Sequence, residues 1–286
     1  MVDWQAIGVF YGLACLGAVL CGAAFWALTP LGLGLLAAVA MMWTPALAAV
    51  AARRWQGLPA AHALGLRWGR LGWSAAALIA PMGLYTLMVP VGLALPGVTW
   101  DPSTPGILSR LASALPPEQV ELARTQLDAL PLHPAVIGLL ALPVAGATVN
   151  ALFALGEELG WRGFLHDALQ PLGFWRSNLL TGALWGLWHA PLILQGYNFP
   201  SHPVAGVALM VLGCMALSPI MGLFRERSDS VLSAALFHGA LNAGGSLPIL
   251  VFAGPELLVH PLGAMGIGAL AIGCLLVAVV RRVAPA

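Results

Sequence analysis

Six stretches of this sequence, approximately residues 6–28, 31–52, 73–95, 203–224, 231–253 and 261–280, run without a charged side chain. Each is close to the roughly 20 apolar residues that carry a helix across the hydrocarbon core of a bilayer. Two further stretches, near 138–165 and 178–197, are as apolar but are interrupted by polar residues. None alternates apolar and polar positions, so a closed barrel of short strands is excluded. Charged residues make up 8% of the 286, against roughly 25% in a soluble domain, and no water-facing surface can be built from so few. The same composition excludes disorder, a collagen-like chain and a disulfide-rich scaffold. Cys15, Cys21, Cys214 and Cys274 lie inside apolar runs without CxxC spacing and read as small membrane- or helix-facing residues. The first stretch has only Asp3 before it and no basic leader, so it reads as a span rather than a cleaved signal. No internal repeat, linker or second domain is visible. The sequence predicts an all-α polytopic membrane protein, one domain over 1–286, with about eight transmembrane helices.

Every cation is arginine and the net charge is +1, which leaves no basic face for a nucleic acid. Arg53, Arg54, Arg67 and Arg70 follow the second stretch, and Arg176 follows the fourth. Arg225 and Arg227 follow the sixth, and Arg281 and Arg282 the eighth. With eight helices all these loops share one side, which the positive-inside rule makes cytoplasmic. Both termini are therefore expected in the cytoplasm, with the chain in the cell membrane. Only Arg110 and Arg124 fall on the other side, in a long connection over about 97–133. There Pro116 and Pro117 precede Glu118 and Glu121, a helix-start pattern. Val120, Ala123, Leu127 and Leu130 then make an apolar stripe. The expectation is a short amphipathic helix at the outer interface, a cap over the bundle or, alternatively, a substrate gate.

Ionisable residues inside spans are costly and point to function. The densest group is Gly156-Glu157-Glu158-Leu159-Gly160-Trp161-Arg162. On a helix running through it, Glu158 and Arg162 are four apart and can pair. Glu157, rotated by about 100°, has no cation at matching spacing and is expected to be free to titrate and meet solvent or substrate. The competing reading makes 157–162 a charged headgroup flank. His189, in Trp185-Gly186-Leu187-Trp188-His189, lies about 16 Å deep in the fifth span. Gly182 and Gly186 there are spaced for close helix approach. His238 and Asn242 are four apart on one face of the seventh span, at about 10–16 Å. Brought together, a carboxylate, two imidazoles and an amide can deprotonate a water and hydrogen-bond an oxyanion. Ser177, Ser218, Ser228, Ser230, Ser233 and Ser246 have no motif around them, so attack by water is favoured over an acyl-enzyme. His62, His133, His166, His202 and His260 fall in loops or flanks and read as solvated or interfacial, with His166 nearest the site.

These motifs resemble those of the intramembrane CAAX-processing and bacteriocin-processing proteases (CPBP, or Abi, proteins). That family is marked by EExxxR, an aromatic-xxx-His and HxxxN on successive helices. Here they read Glu157-Glu158…Arg162, Trp185…His189 and His238…Asn242, within about residues 140–250. Trp185 stands where many members carry Phe. Met42-Trp43-Thr44-Pro45-Ala46-Leu47-Ala48 resembles the family's second helix more weakly. The resemblance implies Glu157 as general base assisted by His189, an oxyanion hole of His238 and Asn242, and Glu158 with Arg162 ordering the site, in a catalytic half over about 138–253. The implied reaction is hydrolysis of a membrane-associated or lipidated protein in a cavity open to the cytoplasm. No cofactor is required in this scheme, although Glu157, His189 and His238 could instead hold a zinc ion with an open fourth position. An Ala/Gly-rich, lysine-free chain suggests a GC-rich bacterial genome, where prenylated proteins are not the expected native target. The alternatives are a transporter with a midplane polar site and a non-catalytic immunity or scaffold protein.

Overall fold

The computed structural model describes residues 1–59, 64–112 and 115–284; His62 lies outside them. The chain opens with α1 (Trp4–Leu28), α2 (Gly34–Met41), α3 (Thr44–Trp55) and α4 (Leu71–Ala94). A first short strand β1 (Thr99–Trp100) and helices α5 (Thr104–Ala112) and α6 (Pro117–Asp128) follow. Then come α7 (Pro134–Gly146), α8 (Val149–Glu158), a π-helical segment Leu159–Leu165 and α9 (His166–Leu169). The remainder is α10 (Phe174–Trp188), α11 (Ala190–Ile193), α12 (Pro203–Ser228), α13 (Val231–Ala243), β2 (Phe252–Ala253), α14 (Glu256–Val259) and α15 (Ala264–Val283). Helix starts follow local chemistry. The Asp3 carboxylate caps Ala6 N–H at 3.0 Å and Ser230 caps Leu232 N–H at 3.1 Å. Pro45 occupies the first turn of α3, where a missing N–H costs nothing.

Among the described residues, five helical segments are long and apolar enough to cross a membrane: Trp4–Leu31, Gly34–Trp55, Leu71–Ala94, Pro203–Ser228 and Glu256–Val283. The other three expected spans are built differently. The fourth is a broken pair, Pro134–Gly146 and Val149–Leu172, bent by 60°. Pro143 withholds an N–H from α7, and Thr148 at the bend is non-helical, which accounts for the break. The fifth has only the 15 residues of α10, continued by α11 after His189. Pro191 cannot donate to Leu187 O, so one bond of the helical ladder is missing where α10 gives way to α11. The seventh stops after 13 residues at Gly244 and Gly245. At 1.5 Å per residue these two helices reach about 22 Å and 20 Å, short of a hydrocarbon core about 30 Å thick. Each therefore stops short of a full crossing, and its terminus can carry a polar site.

The expected close approach at Gly182 and Gly186 is present, between α10 and α12. A Cβ on Gly182 would stand 2.5 Å from Cys214 O and Met215 Cα, and one on Gly186 2.4 Å from Val211 Cα. These are main-chain atoms that cannot swing aside. Gly182→Ala is expected to cost about 1–3 kcal/mol as overpacking, read as earlier thermal unfolding of detergent-solubilised protein. Gly12→Ala, where the added methyl meets nothing within 4 Å, should leave the transition in place. Equal transitions for both variants would refute this account of the α10–α12 contact.

The arginine-bearing segments gather at one end of the bundle. Arg53 and Arg225 flank Asp167 at 3.9 and 3.6 Å, and Arg225 also lies 3.7 Å from Asp229, which Arg67 engages. Arg281 pairs with Glu226, Gln56 Nε2 donates to Asp3 at 2.9 Å, and Arg227 donates to Ala284 O. Residues at the beginning and end of the chain thus share this end.

At the opposite end β1 pairs antiparallel with β2, and Arg110 donates to Ile249 O and Asp101 O, both at 2.7 Å. The Ser103 hydroxyl, 2.6 Å from Asp101 Oδ1, holds the Asp101 carboxyl below the usual carboxylate range. Helix α6 lies where the sequence expects it, with Val120, Ala123 and Leu127 half-buried and Leu130 exposed beyond its end. It packs against α5, a helix with no forecast in the sequence reading, and buries no residue fully.

Candidate active site

Helix α8 passes through the acidic motif and widens into the π-helical segment at Leu159, a deformation common at functional sites. Glu158 and Arg162 form the pair their spacing suggests, with Arg162 Nη1 at 3.1 and 3.0 Å from the two carboxylate oxygens. Both side chains are essentially fully buried, at 0% and 1% exposure. Such a pair depends on partners for its remaining donors and acceptors, and three other helices supply them, although Arg162 Nε is buried without a hydrogen-bond partner among the described residues. From α12, Ser218 Oγ accepts from Arg162 Nη2 at 2.9 Å, and Arg225 Nε donates to Arg162 O at 3.0 Å. From α10, the Trp185 ring lies 4.5 Å under the guanidinium. From α13, His238 Nδ1 lies 2.8 Å from Glu158 Oε1.

Glu157 is not the unpartnered carboxylate that the helix wheel suggests. Trp185 Nε1 donates to Glu157 Oε2 at 2.7 Å, so the tryptophan is a ligand to the acid as well as an aromatic wall. His189 Nδ1 stands 2.9 Å from Trp185 O. A carbonyl can only accept, so the proton sits on Nδ1 and the Nε2 lone pair is left free for chemistry. The Trp185 ring packs edge to face on His238 and tilted on His189, its centroid 5.3 Å and 5.8 Å from theirs at interplanar angles of 69° and 53°.

Glu157, His189, His238 and Asn242 line one cavity of about 500 Å³. Met41, Met88 and Met210 supply apolar wall, a flexible lining suited to an irregular guest. Asn242, one turn beyond His238, is exposed to this space. Glu158 and Arg162 are absent from the lining and lie behind it. Among the described residues no group of three or more His, Cys, Asp or Glu side chains is disposed to hold a metal ion.

Several participants have no signal in the sequence. Ser218 and Arg225 reach the site across space from α12, while Tyr85, Asn150 and Tyr197 join the cavity wall. Ser218, with no motif around it, serves as an acceptor for Arg162. His260, expected in a solvated flank, lines the cavity and stacks on Phe199 at 4.2 Å. His133 caps α7, His202 pairs with Glu256 at 3.1 Å, and His166 is half-buried outside the lining. Met42 and Trp43 separate α2 from α3, which opens at Thr44. Met42 lines the cavity, and Thr44 Oγ1 accepts from Trp188 Nε1 at 3.3 Å.

Residues 138–244, which contain all seven motif residues, match the family described as Type II CAAX prenyl endopeptidase Rce1-like. CAAX prenyl protease 2 of Methanococcus maripaludis is 49% identical over 102 residues, covering 34% of this chain and 38% of that protein. The aligned part thus spans less than half the length of this curated relative.

Proposed function

We propose that this chain, whose residues 138–244 match the Rce1-like CAAX endopeptidase family, hydrolyses a peptide bond of a membrane-associated protein by activating water. The observation that carries the reading is the convergence of Glu157, His189, His238 and Asn242 on one cavity, above a buried Glu158–Arg162–Ser218 scaffold. Glu157, assisted by His189 Nε2, takes a proton from water, which attacks the scissile carbonyl. The oxyanion is received by the Asn242 amide and by Nε2–H of a doubly protonated His238, since a ring that already donates from Nδ1 has a second N–H only as the imidazolium. Glu158 accepts from Nδ1 of His238 and so turns the opposite edge of that ring to the cavity. The proton held by Glu157 and His189 then passes to the leaving amine as the tetrahedral intermediate collapses. The cavity lining contains Cys214, whose Sγ rests 3.7 Å from Met210 Sδ, and no serine. Water is thereby favoured as the attacking group. The arginine-bearing end faces the cytoplasm under the same proposal.

The test is cleavage of a membrane-tethered reporter peptide, with and without a lipid anchor, by purified protein in detergent. Wild type is expected to cleave and to keep its rate in a strong zinc chelator. Loss in chelator with recovery on added zinc would overturn the metal-free scheme. No cleavage of either reporter would favour the non-catalytic membrane partner.

Trp185→Phe, which keeps the ring but removes the N–H to Glu157, should slow cleavage by no more than about tenfold. Water in the cavity can replace one hydrogen bond, a net difference of about 0.5–1.5 kcal/mol. A complete loss would assign the indole N–H a larger part than positioning.

A further inference from the structure

We propose that Tyr197, Asn198 and His260 form a second subsite of this cavity, which binds the main chain of the peptide away from the bond that is cut. That the guest is a peptide rests on the endopeptidase reading; the unpaired polar wall that would hold it does not.

Most polar side chains around the cavity are already engaged. The Tyr85 hydroxyl donates to Leu241 O at 2.6 Å, and Asn150 Nδ2 donates to Ala145 O at 3.2 Å. Trp185 N–H is taken by Glu157, and Trp188 N–H by Ala14 O at 3.2 Å. Outside the hydrolytic group, three lining side chains keep polar atoms with no hydrogen-bond partner among the described residues: the Tyr197 hydroxyl, the Asn198 amide and Nε2 of His260.

All three stand on one wall. Residues 197–202 follow α11, and residues 256–262 comprise α14 and the turn after it. The two segments are tied by the His202–Glu256 pair, by Ser201 N–H at 3.4 Å from Glu256 Oε1 and by the Phe199–His260 contact. Phe199 is fully buried and also presses on Gly206, where a Cβ would stand 2.5 Å from the Phe199 Cβ. The wall is thus fixed to α12. Asn198 is exposed and holds a left-handed backbone, with φ 65°, a conformation that few residues besides Gly, Asn and Asp adopt readily.

His189 and His260 carry opposite tautomers. His189 donates from Nδ1 and keeps a lone pair on Nε2. His260 Nδ1 accepts from Leu262 N–H at 3.1 Å, so its proton sits on Nε2. With Phe199 against the ring and Nδ1 engaged by its own turn, what remains to line the cavity includes the edge that carries Nε2–H. His260 is therefore a donor where His189 is a base. The lining holds no Arg or Lys, so the group that fits is uncharged. A peptide carbonyl is such a group, and it needs a donor when it leaves water for an apolar cavity. The Asn198 amide can serve the same strand as both donor and acceptor.

The test measures the affinity of the lipid-anchored reporter peptide for Glu157→Gln protein in detergent, so that binding is read without cleavage. Into this parent go His260→Phe, which keeps a ring against Phe199 and removes both nitrogens, and His260→Gln, which returns an N–H donor. Asn198→Gly accepts the left-handed backbone and removes the amide. His260→Phe is expected to weaken binding about tenfold and Asn198→Gly about threefold, as for loss of one hydrogen bond each, with His260→Gln between His260→Phe and the parent. Reporters with one main-chain carbonyl at a time replaced by a trans-alkene then locate the bond. At one position the parent should lose about tenfold and His260→Phe no more than about twofold, a coupling that a merely structural role would not produce. If His260→Phe unfolds early in a thermal scan, His260→Gln takes its place in the comparison. Parent-like affinity in His260→Phe or in Asn198→Gly would overturn the inference. So would alkene effects that are the same in parent and variant at every position. Coupling at one position in a protein whose wild type cuts no reporter would reject hydrolysis and leave the subsite standing.

Discussion

Glu157→Gln is expected to lower reporter cleavage by about 10²- to 10⁴-fold, the span associated with loss of a positioned general base. The protein should remain folded, because the glutamine carbonyl can still accept from Trp185 Nε1, now 2.7 Å from Glu157 Oε2. The substitution removes basicity while keeping shape, so the loss should lie in kcat. A rate within tenfold of wild type would dismiss Glu157 as the group that activates water. The free Nε2 of His189 would then be the next candidate, to be tested with His189→Ala.

Arg162→Ala is expected to act mainly on stability. It would leave Glu158, at 0% exposure, with His238 as its remaining cross-helix partner. It would also strip Ser218 Oγ and the Trp185 face of the cation they meet. Removing one member of a buried ion pair costs about 3–5 kcal/mol, whereas replacing both members together is often close to neutral. The single variant should give poor yield of folded protein and a clearly lower unfolding temperature in detergent. The double variant Glu158→Gln with Arg162→Met should recover much of the stability without recovering cleavage. If the single variant melts like wild type, the pair is not what holds α8 to α12 and α13.

The parts of this site that follow local geometry could be read from the sequence, and those that depend on distant packing could not. The Glu158–Arg162 pair and the shared face of His238 and Asn242 follow from four-residue spacing alone. Nothing in the spacing could assign His238 to Glu158, 80 positions earlier, or Trp185 to Glu157, 28 positions earlier. Ser218 stands beside no other polar residue and so carries no pattern, and its partner lies on another helix. Apolar stretches gave the spans but not their ends. Residues 178–197 and 231–253 remain apolar past the points where α10 gives way to α11 and α13 stops at the Gly244–Gly245 pair. Hydropathy measures solvent preference, whereas the helix ends are set by missing donors and by permissive backbone.

The fastening between β1 and β2 bears on how the far end moves. Thr99 and Trp100 pair with Ala253 and Phe252, Asp101 N–H bonds Val251 O at 2.9 Å, and Arg110 grips Ile249 O. Two loops more than 140 residues apart in sequence are thereby joined beside the segment that follows α13 and carries Gly245. Neither can loosen alone without leaving main-chain donors and acceptors unmatched. Amide protons of residues 99–101 and 251–253 should therefore exchange with deuterated water at one common rate, as a single cooperative unit. A guest wide enough to need both loops apart would have to wait for that opening, which would then set the pace of turnover however fast the bond itself is broken.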